Sequence, residues 1–191
     1  MVIPLKPTMK RANVSFNYHD YLQLPEGKRY EILDGELCVV PAPNTRHQRV
    51  SRDLLVALIR HVESTGLGEV LHAPYDVVLS HENVVQPDIL FVRRERLGII
   101  AEANIREAPD LIVEILSPGA RGKDLEIKRK IYARFGVQEY WIVDPDAATV
   151  EVLVWGESGY VSAGVCGVTE RLSSPLLPEL NLPLSGIFKK E

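Results

Sequence analysis

From His47 to Glu63 apolar residues recur every third or fourth position, at Val50, Leu54, Ala57, Leu58 and Val62. That spacing predicts an amphipathic helix, which Gly66 and Gly68 would end. Upstream, Tyr18–Leu24 reads as a short helix stopped by Pro25 and Gly27. The runs Tyr30–Leu33 and Glu36–Val40 flank Asp34-Gly35, the dipeptide best suited to a two-residue type I′ hairpin turn. Strand-forming runs follow at Val70–Ala73, Tyr75–Ser80, Val84–Val92 and Leu111–Leu116, with a polar or short helical insert around Arg94–Arg106. A second helix is predicted from Lys123 to Phe135 and closed by Gly136. It leads into a strand over Glu139–Val143, a turn at Asp144-Pro145-Asp146 and a strand over Thr149–Trp155. The stretch from Tyr160 to Phe188 reads as one more strand pair and a proline-spaced loop. A helix, a strand meander, a crossover helix and a further strand make an α/β or α+β fold with a mixed central sheet.

The chain has 191 residues, 46 % hydrophobic and 25 % charged, which suits one domain with its own core. With no repeat or linker in sight, residues 18–188 are expected to form that domain behind a flexible arm over 1–17. No window approaches the roughly 18 uninterrupted apolar residues of a membrane helix, so no membrane contact is expected. Met1–Arg11 is basic without an apolar segment, unlike a signal peptide. Cys38 and Cys166 have neither a disulfide framework nor metal-knuckle neighbours around them. They read as buried thiols of a cytoplasmic protein. The net charge of −4 argues against nonspecific coating of nucleic acid, so any such contact needs a local patch.

Three charges do not belong where they sit. Asp88 lies in Val84-Val85-Gln86-Pro87-Asp88-Ile89-Leu90-Phe91-Val92, a run typical of a strand covered on both faces. Glu114 lies in Leu111-Ile112-Val113-Glu114-Ile115-Leu116. A lone carboxylate in such a place is paired, protonated or bound to a cation. The plainer alternative is a strand-end acid reaching solvent or an arginine. The third misfit is Lys128. At about 100° per residue from Leu125 it falls near 300°, between Ile131 at about 240° and Tyr132 at about 340°. Lys130 falls near 140°, on the solvated side, by the same count. A lysine on an apolar stripe snorkels or meets buried negative charge, and the helix follows the Glu114 strand directly. Two carboxylates and a lysine without sulfur or clustered imidazole ligands suit a hard divalent cation, magnesium or manganese. The lysine would orient water or steady charge on a phosphoryl group.

Pro87-Asp88 followed by Glu114-Ile115-Leu116 resembles the PD-(D/E)XK nuclease signature, with leucine at the usual lysine position. A longer ordered series is more specific. It comprises Tyr30-Glu31-Ile32-Leu33-Asp34-Gly35-Glu36-Leu37, His47, Gln86-Pro87-Asp88 and Ala108–Pro118, then Asp124 with Lys128 and Tyr132, and Gly136–Pro145. This series resembles the Uma-two family of bacterial restriction-endonuclease-like proteins. The resemblance implies a restriction-endonuclease-like fold, a mixed sheet flanked by helices, with Asp88, Glu114 and the Ile115 carbonyl as metal ligands. Lys128 matches the family's helix lysine, taken to replace the missing one. Positions 114 and 116 share a strand face, so a lysine from a facing helix fills the gap that Leu116 leaves. Glu31 matches a further acidic position near the site.

His47 opens the first long helix. It is a site histidine, an outer hydrogen-bond donor or a helix-start residue. Arg93, Arg94 and Arg96 either approach a phosphate backbone or form a solvated charge run. Trp141 and Trp155 read as core or interface residues. The expected function is a magnesium- or manganese-dependent endodeoxyribonuclease acting on DNA, with a homodimer as the simple way to cut both strands. Its rivals are a catalytically inactive nuclease-fold protein that binds nucleic acid or a protein partner, and a small-molecule or structural module in which Lys128 makes a buried ion pair.

Overall fold

A computed structural model describes residues 15–117 and 123–189. The predicted arm lies outside the described residues, except for 15–17. There the Phe16 N–H donates to the Gly35 carbonyl at 2.8 Å, and Asn17 caps helix α1 (Tyr18–Tyr21), a single turn shorter than the predicted segment. Strands β1 (Arg29–Leu33) and β2 (Glu36–Val40) pair antiparallel. Asp34 and Gly35 join them, both in the left-handed region with φ of 49° and 76°, as a type I′ turn requires. Helix α2 (Thr45–Thr65) starts on Asn44, whose side chain accepts the His47 N–H, and stops at left-handed Gly66.

The middle of the chain departs from the expected single strand over Val84–Val92. Strands β3 (Gly68–His72), β4 (Asp76–Ser80) and β5 (Asn83–Val85) are followed by a separate β6 (Ile89–Arg93). Gln86, Pro87 and Asp88 form the passage between two sheets. Pro87 has no N–H for a ladder, and Asp88 therefore lies outside both strands instead of within a covered one. After a 3-10 segment at Arg94–Ile99 come β7 (Asn104–Ile105), β8 (Leu111–Ile115), α3 (Lys123–Arg134), β9 (Glu139–Asp144), β10 (Thr149–Gly156) and β11 (Gly159–Gly167). The short strands β12 (Arg171–Leu172) and β13 (Leu182–Pro183) pair with each other. The long β11 adds to the Thr149 strand as a hairpin, which the sequence pattern only partly anticipated.

One sheet has the order β2-β1-β5-β4-β7 and the other β11-β10-β9-β8-β6-β3. Helix α3 is the crossover between the parallel neighbours β8 and β9. Along β8 the strand period of two sorts side chains by face. Leu111, Val113 and Ile115 pack with Val50, Leu54 and Leu58 of α2. Ile112 packs with Ile131 and Tyr132 of α3 and with Leu33 and Val85 of the smaller sheet. Glu114 shares the parity of Ile112, so it faces α3 and the gap between the sheets.

Trp141 is fully buried, whereas Trp155 is 48 % exposed on β10. Cys38 and Cys166 are free and half-buried, not the buried thiols expected. Among the described residues no helix is long and apolar enough to cross a membrane.

Candidate active site

Glu114 stands near the C-terminal end of β8, where its Oε1 accepts two hydrogen bonds from α3. Lys128 Nζ donates at 2.9 Å and the Tyr132 hydroxyl at 2.6 Å. The same ammonium donates to Glu31 Oε1 at 2.8 Å. Glu31 comes from β1 of the other sheet and is buried, and its Oε1 also accepts the Gln86 backbone N–H at 2.9 Å. Lys128 thus ties the two sheets together through two carboxylates. Lys130 is exposed, as its helical angle predicts.

Asp88 approaches from the passage between the sheets. Its Oδ2 accepts the Ile115 backbone N–H at 2.8 Å and lies 3.2 Å from His47 Nε2. In an extended residue the N–H and C=O leave on the same edge, so the Ile115 carbonyl is directed toward the Asp88 side of β8. His47 is buried on α2, and its Nδ1 has no partner among the described residues. Glu31, His47, Asp88, Glu114, Ile115 and Lys128 all line one cavity of about 140 Å³. Leu116, at the signature's lysine position, lines it too, and the ammonium beside Glu114 comes from α3.

Four acids, Glu31, Asp88, Glu114 and Asp124, and two cations, Arg29 and Lys128, line the cavity, which leaves an excess of negative charge. Burial pushes Glu114 up, and Glu31 and Asp88 add to it. Lys128 and the Tyr132 hydroxyl pull the other way, and the balance is a pKa of about 7. Burial pulls the Lys128 ammonium down, but Glu114 and Glu31 outweigh it and hold it above the usual lysine range. Burial, then Glu114 and Glu31, keep Tyr132 a phenol donor. Burial and the nearby Glu31 and Glu36 push the Cys38 thiol to about 11, so it is no nucleophile at neutral pH.

Among the described residues no three His, Cys, Asp or Glu side chains form a ready-made metal cage. Among the described residues only Oδ2 of Asp88 and Oε1 of Glu114 are engaged, so the donors left for a cation are their second oxygens and the Ile115 carbonyl. All are hard oxygens, the set that magnesium accepts while keeping several waters.

Two residues at the site stood in the sequence only as members of the family series and were given no role there. Tyr132 counted as part of the apolar stripe, yet it stands one turn beyond Lys128 on the same face, and its hydroxyl reaches Glu114. Gln86 holds Glu31 through its backbone, while its side chain is fixed by Arg29 and Asp76. The arginines past β6 neither reach the site nor form a solvated run. Arg93 and Arg96 turn inward onto buried Asp110, and Arg94 lies against Gly66 at the C-terminal end of α2.

No curated protein matches the chain. Among solved structures, one from Anabaena variabilis ATCC 29413, described as "a putative nuclease belonging to DUF820", is similar at 21 % identity with a TM-score of 0.76. The match covers 91 % of this chain and 97 % of that one. At that identity the likeness speaks for the fold. The Uma2 family, described as "Putative restriction endonuclease", matches residues 18–185. That span includes both sheets, α2, α3 and every residue of the cavity, and the chain belongs to the Uma2 family.

Proposed function

We propose that the chain is a divalent-metal-dependent nuclease that hydrolyses phosphodiester bonds in DNA. The observation that carries this reading is the convergence of Asp88, Glu114, the Ile115 edge and the Lys128 ammonium on one cavity with unbalanced negative charge. A purely structural ion pair needs neither the third carboxylate nor the opening. Magnesium or manganese held there would neutralise charge on the scissile phosphate and lower the pKa of bound water.

The chain's own residues do the rest. The Ile115 N–H and His47 fix one oxygen of Asp88, leaving the other toward the cavity. Tyr132 and Lys128 do the same for Glu114. Glu31 holds the ammonium from the opposite sheet, and Lys128 orients an attacking water or steadies charge building on the phosphoryl oxygens. Half-buried free thiols suit a cytoplasmic setting.

The test is cleavage of single-stranded, duplex and branched DNA in magnesium or manganese, with Lys128→Met and Glu114→Gln alongside. Each variant should lower cleavage by about two or more powers of ten, as when one electrostatic donor is lost. Manganese calorimetry should show binding lost in Asp88→Asn. Equal cleavage by wild type and Glu114→Gln would leave the inactive, nucleic-acid- or protein-binding alternative in place.

A further inference from the structure

The helix that brings His47 into the cavity carries a second set of residues on a neighbouring stripe. Arg46, Arg49 and Asp53 follow the three-and-four spacing that puts side chains on one helix face. Together with Arg52, Lys189 and buried Phe188 they line another cavity, of about 540 Å³. Arg46 meets Asp146 at 3.2 Å, and both side chains are about half exposed. Arg52 and Lys189 share Asp53, at 2.7 and 2.9 Å. Four cations and one carboxylate, Asp53, line this groove in a chain whose overall charge is −4. The Arg46–Asp146 pair is exposed on both sides and contributes only about 0–1 kcal/mol, so Arg46 can exchange its carboxylate for another anion at little cost, while Arg52 and Lys189 keep exposed heads beside a mostly buried Asp53.

We propose that this groove binds the phosphate backbone of the DNA strand that flanks the scissile phosphate, an inference that rests on the nuclease reading. Three features favour a nucleic-acid strand. Arg46 and His47 are consecutive at the start of α2, the first lining the groove and the second the candidate cavity, so one helix end serves both. Arg46, Arg49 and Arg52 span roughly 9 Å of helix at ~1.5 Å per residue. That length matches two to three phosphates at about 3.4 Å of axis per nucleotide. The floor is apolar, with Phe188 and Ile187, and can take sugar faces between the phosphates. This local patch supplies what the acidic overall charge withholds.

The test is fluorescence anisotropy of a short labelled duplex, and of its single strand, over a salt series with chelator present. Replacing Arg46, Arg49 and Arg52 together by glutamine should flatten the log Kd against log salt slope by about 2–3, close to one unit per phosphate contact. Asp53→Asn, which removes a competing anion, should tighten binding about two- to fivefold, so the surface is tested by a gain as well as a loss. Lys130→Gln, exposed on α3, should change neither. Unchanged slope in the triple variant, absent DNA binding by the wild type, or equal binding of poly-glutamate would each overturn the proposal. If metal-dependent cleavage occurs while the triple variant binds normally, the groove assignment falls and the nuclease reading stands. If no cleavage occurs but the triple variant loses DNA affinity, the groove stands and the nuclease reading falls.

Discussion

Strand β8 has an acid near each end. Asp110, just before it, is fully buried, and its Oδ2 accepts the Arg93 backbone N–H at 2.9 Å. Its Oδ1 lies 2.9 Å from the Arg96 guanidinium and 3.7 Å from that of Arg93. Two cations enclose one anion, and the cluster pins the Arg94 segment to the sheet. Glu114, four residues later, shares the Lys128 ammonium with Glu31 and lines a cavity that holds more acids than cations. The first acid is compensated and closed, while the second is undercompensated and open. Burial alone therefore does not mark a site. Unbalanced charge beside an opening is the more telling feature, because it is a cost that a purely structural design would avoid.

The largest expected difference between the two ends is in stability. Asp110→Asn removes the anion from two guanidiniums that are about a third exposed. The loss should be about 2–3 kcal/mol, below the range for a fully buried pair because water reaches the arginines. Glu114→Gln relieves crowding with Glu31 and Asp88. It should change the metal-free protein by less than about 1 kcal/mol, or stabilise it, as neutralised site residues often do. Urea unfolding with chelator present measures both. Equal losses would make Glu114 a second structural acid and end the contrast.

Lys128 sharpens the comparison, because the same ammonium ties the two sheets together and lines the cavity. Its pKa is raised, so its stabilisation is present in full below the unfolded lysine value, hence at neutral pH, and is lost as pH rises from that value through the folded one. Lys128→Met should therefore cost the metal-free fold about 2 kcal/mol by stranding Glu31 and Glu114. Lys128→Met combined with Glu114→Gln should recover more than half of that, because one stranded charge is gone. The catalytic and structural accounts of this lysine are thus not exclusive. Stability and cleavage read separately tell how much each contributes.

A pH series probes the open end directly. The Glu114 carboxyl rises from 4.5 to about 7 on folding. Between those values the folded protein holds a proton that the unfolded chain has released. The Glu114 contribution therefore falls as pH rises from 4.5 to 7 and levels off above. Roughly 1–2 kcal/mol should be lost across that window without metal, less than the full shift because its charged neighbours readjust. Glu114→Gln should remove most of this slope, and a slope that survives unchanged would assign it to other groups.

Much of this was legible in the sequence where one physical rule dominated. Asp34-Gly35 specified its turn because few other dipeptides tolerate two left-handed residues, and Lys128 stood out because a charge interrupted a helical stripe. Where patterns are degenerate the reading failed. The apolar run through Ile89 hid a change of sheet, since hydrophobicity continued across it and only Pro87 marked the break. Glu31 is the third acid of the site, yet the hairpin pattern around it gave no reason to single it out, and it entered through family resemblance alone. Arg93 and Arg96 looked like a charge run because their partner, Asp110, lies more than a dozen residues away.

The smallest effect concerns two neighbouring tyrosines, and it tests the contrast within a single packed pair. Tyr132 and Tyr140 meet edge to face at 5.1 Å, and both rings are fully buried. The Tyr132 hydroxyl donates to Glu114 at 2.6 Å, while that of Tyr140 has no partner among the described residues. Tyr132→Phe keeps the ring and removes the donor. It should cost about 0.5–1 kcal/mol, the net worth of one hydrogen bond, and push the Glu114 carboxyl further up. Manganese should then bind a few-fold more weakly at neutral pH, with the loss shrinking as pH rises and Glu114 ionises. Tyr140→Phe removes a hydroxyl that satisfies nothing, so it should be neutral or slightly stabilising and leave metal binding untouched. Unfolding and manganese titration of the two variants decide the matter. If they behave alike, the hydroxyl on Glu114 is packing and not support for the site. If Tyr132→Phe instead abolishes cleavage as fully as Lys128→Met, the tyrosine touches the reacting phosphate itself and its supporting role is wrong.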